Sequence, residues 1–186
     1  MIRSRVKLTG AAAVLAVAGF TTAAVAGGGG DFETDLDGFA EVPSVSTIAG
    51  AEMRAEVNRA GTELRYRLGY RNLEGEVQQG HIHLGQEGVN GGIVVFLCSN
   101  LGNGPAGTPP CPPSPATVTG TLDAADVSAV PASAPAVAVA QGIAAGEFAE
   151  LIRAMRAGVT YANVHSTKFT GGEVRGQIDE ERDHDD

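Results

Sequence analysis

The chain has 186 residues, a formal net charge of -9, 43% apolar residues and 19% charged residues. This apolar share is typical of a globular protein and argues against disorder throughout, and the length suits one domain with a real core. The acidic balance, together with the lack of Lys/Arg clusters beyond the N-terminus, argues against nucleic-acid binding.

The first 26 residues have the pattern of a secretory signal peptide. Three basic residues precede an apolar run from Leu8 to Val17, which is too short to span a bilayer as a typical helix. Ala24-Val25-Ala26 is an A-x-A cleavage site. We predict cleavage after Ala26, a secreted or periplasmic location, and a mature chain without a membrane span. An uncleaved membrane anchor is the alternative.

The two cysteines, Cys98 and Cys111, both lie in the predicted mature chain. The segment between them is rich in Gly, Pro and Asn and has no periodicity. In an oxidising compartment such a pair usually forms a disulfide, which is our prediction. A metal site formed by the two cysteines is disfavoured, because their spacing is wide and no His lies between them. A catalytic thiol is disfavoured because the compartment is oxidising.

Period-two alternation predicts extended strands over much of the chain after a flexible leader at residues 27–30. Segments 47–57 and 64–70 alternate apolar and polar residues on either side of a turn and predict an antiparallel hairpin. The apolar run 93–98 predicts a buried strand, and the Thr/Val-rich run 116–122 predicts another.

The second half of the domain combines a loop, a helix and two strands. The Ala/Pro-rich stretch 127–145 is predicted to be a surface loop. Apolar residues at i, i+3, i+4 and i+7 from Phe148 predict a helix over 147–157, with Gly158 as the stop. Segments 159–165 and 173–178 predict strands.

The strands and the single helix together predict an all-β fold, an antiparallel β-sandwich of Greek-key type with one short helix. Its domain spans residues 31–178. The acidic residues 179–186 are expected to form a solvated, disordered tail.

Several short motifs occur in an order that resembles the CHRD domain, a family named for the repeats of chordin and found alone in exported bacterial proteins. The motifs are Glu41-Val42-Pro43, Gly80-His81-Ile82-His83, Asn90-Gly91-Gly92-Ile93-Val94-Val95, Gly120-Thr121-Leu122, the block from Arg156 to Ser166 and the block from Gly171 to Ile178. The resemblance implies a secreted β-sandwich domain with an extracellular binding role and implies no established enzymatic activity.

Three histidines are the candidate metal ligands. His81 and His83, at i and i+2 on a strand, project to one face while Ile82 points to the core. His165 lies on another strand, where Ala162 and Val164 are expected to face inward. We predict that the three imidazoles form one local cluster on the same outer surface of the sandwich, provided that the two strands are close. Three imidazoles suit copper or zinc.

The histidine pattern is also similar to that of copper/zinc superoxide dismutases, which are β-sandwiches with a His-x-His pair and a distant His. No second histidine set with an Asp, as a zinc site requires, is present. Alternatively, the three histidines only hydrogen-bond and fix strand ends.

Glu173 and Arg175 are also i and i+2 on one strand and are expected to form a surface ion pair. The functional alternative is that Arg175 offers an anion site beside the histidines. Motifs for phosphate loops, serine hydrolases, zinc proteases and dinucleotide binding are absent from the sequence.

Three functions compete on these observations. The first, which we favour, is an exported non-enzymatic binding module that recognises an extracellular or cell-envelope protein or polymer. The second is a copper- or zinc-binding protein that uses His81, His83 and His165. The third is a purely structural extracellular domain.

Overall fold

A computed structural model describes residues 29–127 and 141–181 of the chain. The predicted signal peptide, residues 128–140 of the predicted loop and residues 182–186 of the predicted tail lie outside the described residues. Cleavage after Ala26 therefore stays a prediction. Within the described ranges, no helix is long and apolar enough to cross a membrane.

The described residues form nine strands and one helix. In chain order these are β1 (Gly30–Asp37), β2 (Gly50–Val57), β3 (Leu64–Arg71), β4 (Val77–Leu84), β5 (Gly92–Ser99), β6 (Ala116–Leu122), α1 (Phe148–Arg156), β7 (Thr160–Ser166), β8 (Val174–Gln177) and β9 (Asp179–Glu180).

All nine strands belong to one antiparallel sheet with the order β5-β4-β7-β8-β1-β2-β3-β6, and β9 pairs with β1. The two end strands, β5 and β6, approach each other. The Tyr66 hydroxyl of β3 also donates a hydrogen bond to the Leu97 carbonyl of β5. The sheet is therefore a nearly closed barrel.

This architecture confirms an all-β antiparallel fold with one short helix. It does not divide into the two packed sheets that the sequence analysis predicted, because hydrogen bonds link every strand into a single sheet. Alternation reports which side chains are buried, and it cannot distinguish a sandwich from a barrel, since both bury one face of each strand.

The predicted hairpin is confirmed as β2 and β3, which pair from Gly50 with Arg71 to Val57 with Leu64. Both strands alternate between buried and exposed residues, so their inner faces line the barrel core. Tyr66 and Tyr70 lie in that core, as predicted. The helix α1 is also confirmed, and it packs Leu151, Ile152 and Met155 against the same core.

The predicted disulfide between Cys98 and Cys111 is present, with the Cα atoms 5.1 Å apart. It ties the end of β5 to the Gly/Pro-rich segment that follows. The predicted boundary of the disordered tail is corrected, because Asp179 and Glu180 form β9 and pair with Glu33 and Phe32 of β1.

Candidate functional site

The sheet brings the three predicted histidines together because β4 and β7 are neighbouring antiparallel strands. In this pairing His81 is opposite Asn163, His83 is opposite Tyr161, and Gln79 is opposite His165. His81 and His83 leave the same face of β4, and His165 lies two residues beyond Asn163 on β7. The strand register alone therefore places all three imidazoles side by side.

The imidazole rings are close enough to act together. One ring nitrogen from each of His81, His83 and His165 lies within 4.8 Å of the other two. His81 Nδ1 and His165 Nε2 are 3.3 Å apart, within hydrogen-bond distance. The predicted local cluster is thus found.

The predicted position on the outer surface is wrong, because all three side chains are buried. His81 is fully buried, and His83 and His165 are each 7% exposed. The rings do lie on the opposite side of β4 from Ile82, but that side is covered as well. The Phe96 ring contacts His81 edge-on at 4.5 Å, and Tyr161 stacks on His83.

Backbone carbonyls fix the tautomers of two of the rings. His83 Nδ1 is 3.0 Å from the Gly91 oxygen, and His165 Nδ1 is 3.0 Å from the Thr170 oxygen. Because a carbonyl oxygen only accepts hydrogen bonds, these contacts favour the tautomers in which Nδ1–H donates and Nε2 keeps its lone pair for another partner. His81 Nε2 is buried and has no hydrogen-bond partner.

A family model for the CHRD domain matches residues 32–178. The chain belongs to the CHRD family. No curated protein and no solved structure matches it, so the likeness to superoxide dismutases rests on the histidine pattern alone. The matched region of the CHRD domain contains the whole histidine cluster and the strands that position it.

Burial keeps the histidines of this CHRD domain uncharged at neutral pH. It lowers the pKa of His83 from 6.5 to about 4, against the opposing effect of the Gly91 carbonyl. Burial and then the neighbouring His165 and His83 lower the pKa of His81 well below its usual value. Burial also lowers the pKa of His165. Neutral imidazoles are the form that binds metal ions.

Asn163 is a site residue that the sequence analysis did not single out. Its Oδ1 is 3.1 Å from His83 Nε2. The two ring nitrogens of His83 thus both face oxygen atoms, Asn163 Oδ1 and the Gly91 carbonyl, and the neutral ring can donate to only one of them at a time. A metal ion at Nε2 would take the place of this amide contact.

Glu41 is the second residue that was missed, although it opens the first CHRD motif. Its carboxyl is buried and Oε1 has no hydrogen-bond partner. Burial raises the pKa of Glu41 from 4.5 to about 7, against the effects of the Val42 N–H, the Arg175 charge and the Asn163 amide. A Cβ at Gly172 (φ 129°) would lie 2.2 Å from Oε1, so only glycine admits this carboxyl.

The anion site suggested at Arg175 stays a prediction, and this side chain has several partners within the chain. Its guanidinium is buried and donates to Asn90 Oδ1 and to the carbonyls of Gln86 and Val89. It also lies 3.4 Å from the centroid of Tyr161. These contacts tie the β4–β5 loop to the sheet beside the histidines.

The expected surface pair of Glu173 with Arg175 is also wrong, because Glu173 is fully buried. Its Oε1 accepts hydrogen bonds from the Thr47 hydroxyl at 2.9 Å and from the Glu74 N–H at 2.8 Å. Glu173 therefore holds two loops at the edge of the sheet. Glu173 precedes β8 and Arg175 lies within it, so strand alternation did not predict the loops that each side chain contacts.

Proposed function

We propose that this CHRD domain binds a single transition-metal ion, copper or zinc, through His81, His83 and His165. The observation that carries the proposal is the convergence of three neutral imidazoles whose ring nitrogens lie within 4.8 Å of one another in a buried site. A purely structural role accounts less well for this cluster. It leaves one buried ring nitrogen, His81 Nε2, without a hydrogen-bond partner.

The hydrogen bonds around the cluster support this proposal. In metal sites, the ring nitrogen that does not bind the ion usually donates to a carbonyl or carboxylate, which fixes the orientation of the ring. The Nδ1 contacts of His83 and His165 with Gly91 and Thr170 have this arrangement. These hydrogen bonds orient the Nε2 atoms of His83 and His165 toward the cluster in the metal-free protein.

The distances between the ring nitrogens are also compatible with one ion. Ligands at metal–nitrogen distances near 2 Å in tetrahedral geometry are roughly 3.4 Å apart. The pair His81 Nδ1 and His165 Nε2, at 3.3 Å, meets this requirement. The widest pair must close by about 1.5 Å, which small rotations about the side-chain bonds supply.

The test is metal binding by the oxidised mature chain beginning at Gly27. Elemental analysis and titration with Cu(I), Cu(II) and Zn(II) should give one tightly bound ion per chain. The double variant His81→Leu, His83→Leu should lose it. The matched control is His184→Ala, which removes the remaining histidine of the sequence and should bind as the wild type does. No binding by the wild type would refute the proposal.

We propose, as a second function, that the exported domain contacts an apolar surface of a cell-envelope protein through Phe39 and Ile48. Both side chains lie in the β1–β2 connection and are 71% and 78% exposed. Asp37 Oδ1 accepts hydrogen bonds from the N–H groups of Phe39 and Ala40, and the Ser44 hydroxyl donates to the Phe39 carbonyl. A loop held in this way presents its apolar side chains at little entropic cost.

Cell fractionation tests this second function. The mature protein should be retained with the cell envelope, and the variant Phe39→Ser, Ile48→Ser should be released. The control variant Leu101→Ser changes another exposed apolar residue, outside this loop, and should be retained. Equal release of all three proteins would contradict a role for this loop.

A further inference from the structure

The ligands of the histidine cluster carry no charge to offset that of a metal ion. Among the residues that the structure describes, the metal-binding group consists of three imidazoles and contains no carboxylate or thiolate. The two cysteines of the chain are joined in the disulfide and cannot supply a thiolate. An ion in this site therefore keeps its full charge.

The burial of the cluster makes that charge costly. His81 is fully buried, and its two partner rings are nearly so. The cost of removing an ion from water scales with the square of its charge, so it is roughly fourfold higher for a dication than for a monocation of similar size. Burial without an anionic ligand favours a monovalent ion.

A fixed cation adds to this preference. The Arg175 guanidinium lies on one face of Tyr161, at 3.4 Å from the ring centroid. His83 stacks with Tyr161 at a centroid distance of 4.6 Å. Only the Tyr161 ring therefore separates the guanidinium charge from the His83 ring, and its field is weakly screened in this buried position. The same field repels a bound dication twice as strongly as a monocation.

The aromatic rings around the cluster supply no fourth ligand, and Asn163, beside His83 Nε2, offers only an uncharged amide. Phe96 and Tyr161 lie against His81 and His83. Zn(II) prefers four ligands in a tetrahedron, and Cu(II) prefers a tetragonal arrangement. Cu(I) accepts three nitrogen ligands and needs neither an anion nor a water molecule to complete its coordination.

From the neutral ligands, the burial and the stacked guanidinium, we infer that the cluster is a three-coordinate Cu(I) site that discriminates against Zn(II) and Cu(II). This inference rests on the proposed metal-binding function and narrows it to one ion. Arg175 acts in it as a positioning and selectivity residue through Tyr161, and it does not touch the ion.

The experiment is a set of competition titrations on the oxidised mature chain. Cu(I) is kept reduced with ascorbate under anaerobic conditions and is measured against bicinchoninate, and Zn(II) and Cu(II) are measured against their own chromophoric chelators. Cu(I) should bind at least 100-fold more tightly than Zn(II). X-ray absorption of the copper-loaded protein should show three nitrogen donors around Cu(I).

The outcomes separate the inference from the proposed function. Zn(II) or Cu(II) binding as tightly as Cu(I), or a four-coordinate copper spectrum, overturns the inference and leaves a metal-binding function in place. No binding of any ion overturns both. Cu(I) binding that persists in the His81→Leu, His83→Leu variant places the ion elsewhere and also overturns both.

A pair of Arg175 variants tests the source of the selectivity. Arg175→Met removes the charge and should reduce the preference for Cu(I) over Zn(II) by about tenfold. Arg175→Lys keeps a charge and is the matched control. Circular dichroism establishes that each variant is folded, and a folded Met variant with unchanged preference overturns the role of Arg175. The absorption spectrum of the wild type tests the Cu(I) site even if neither variant folds.

Discussion

The rings of His83 and Tyr161 are stacked 4.6 Å apart and only 5° from parallel. The two residues face each other across the β4–β7 pair. The Tyr161 oxygen also accepts a hydrogen bond from the Gly91 N–H at 3.2 Å, while the Gly91 carbonyl faces His83 Nδ1. Tyr161 therefore stacks on the ring of His83, a proposed ligand, and also binds Gly91, the residue whose carbonyl orients that ring.

Replacing Tyr161 should separate these two roles. Tyr161→Phe keeps the stacked ring but leaves the Gly91 N–H without its acceptor, so we expect a loss of about 1 kcal/mol in the free energy of unfolding and little change in metal affinity. Tyr161→Leu also removes the stack, and metal affinity should fall about tenfold. Denaturant unfolding and metal competition measure the two effects. Equal affinities of the two variants would contradict a role for the stacked ring.

Acidification should destabilise the metal-free domain through the histidines. The pKa of His83 falls from 6.5 to about 4 on burial, and the pKa values of His81 and His165 also fall. Between pH 6.5 and 4 the unfolded chain therefore binds more protons than the folded chain. The free energy of unfolding is highest above pH 6.5 and decreases as the pH falls toward 4. We expect a loss of about 2 kcal/mol from His83 between pH 7 and 4.5 in urea unfolding.

A variant shows whether His83 causes this slope. His83→Leu should be less sensitive to pH over the same range, because leucine cannot be protonated. The variant His184→Ala should keep the wild-type slope. Parallel curves for His83→Leu and the wild type would mean that other groups cause the acid sensitivity.

Glu41 should act in the opposite direction. Its pKa is raised by burial from 4.5 to about 7, so its contribution to stability is fully present below pH 4.5 and is lost as the pH rises through 7. Glu41→Gln mimics the protonated carboxyl. The difference in free energy of unfolding between this variant and the wild type should shift in favour of the variant by about 2 kcal/mol from pH 4.5 to pH 8. Urea unfolding at both pH values measures it, with the exposed Glu52→Gln as control. A difference that does not vary with pH would refute this assignment.

Loss of the disulfide should weaken the fold without altering the histidine cluster. The bridge closes a short loop, with a sequence separation of 13 between Cys98 and Cys111. The double variant Cys98→Ala, Cys111→Ala should lose about 3 kcal/mol in the free energy of unfolding by loop-closure entropy. Its metal affinity should stay within threefold of the wild type. A large loss of affinity in a folded variant would mean that the loop contributes to the site.

The exported protein should begin at Gly27. The A-x-A site predicts cleavage after Ala26, and intact mass measurement of the exported protein checks it. The mass should also be lower than that of the reduced chain by two hydrogen atoms, and alkylation without reductant should not change it. A mass that includes residues 1–26 would indicate an uncleaved anchor.

Local strand geometry predicts only the part of the cluster that His81 and His83 form. The i, i+2 spacing of His81 and His83 sets one face of β4, and the opposite orientation of Ile82 follows from the same alternation. The pairing of β4 with β7 brings in His165, and this neighbourhood is a long-range property that no local pattern encodes. The sequence therefore indicated three candidate ligands, but their proximity depended on a strand order that the sequence does not specify.

The burial of the site could not be predicted in the same way. Alternation assumes that a strand has one covered and one solvated face, whereas all seven residues of β7 are buried. The side away from the core is covered by loops, which carry Glu41, Gly91 and Thr170 to the histidines. Loop positions depend on contacts such as the hydrogen bond from Asn90 to the Val42 carbonyl, which joins segments 48 residues apart.

The two strands that supply the histidines are hydrogen-bonded to each other, while two groups that contact the rings, the Gly91 and Thr170 carbonyls, come from separate loops. In the proposed metal site, opening a loop would therefore admit or release an ion without moving the ligands apart. The speed of ion exchange and the strength of binding then depend on different parts of the chain. Substitutions in the β4–β5 loop should change how long an ion resides, and substitutions in β4 and β7 should change how much protein carries one at equilibrium.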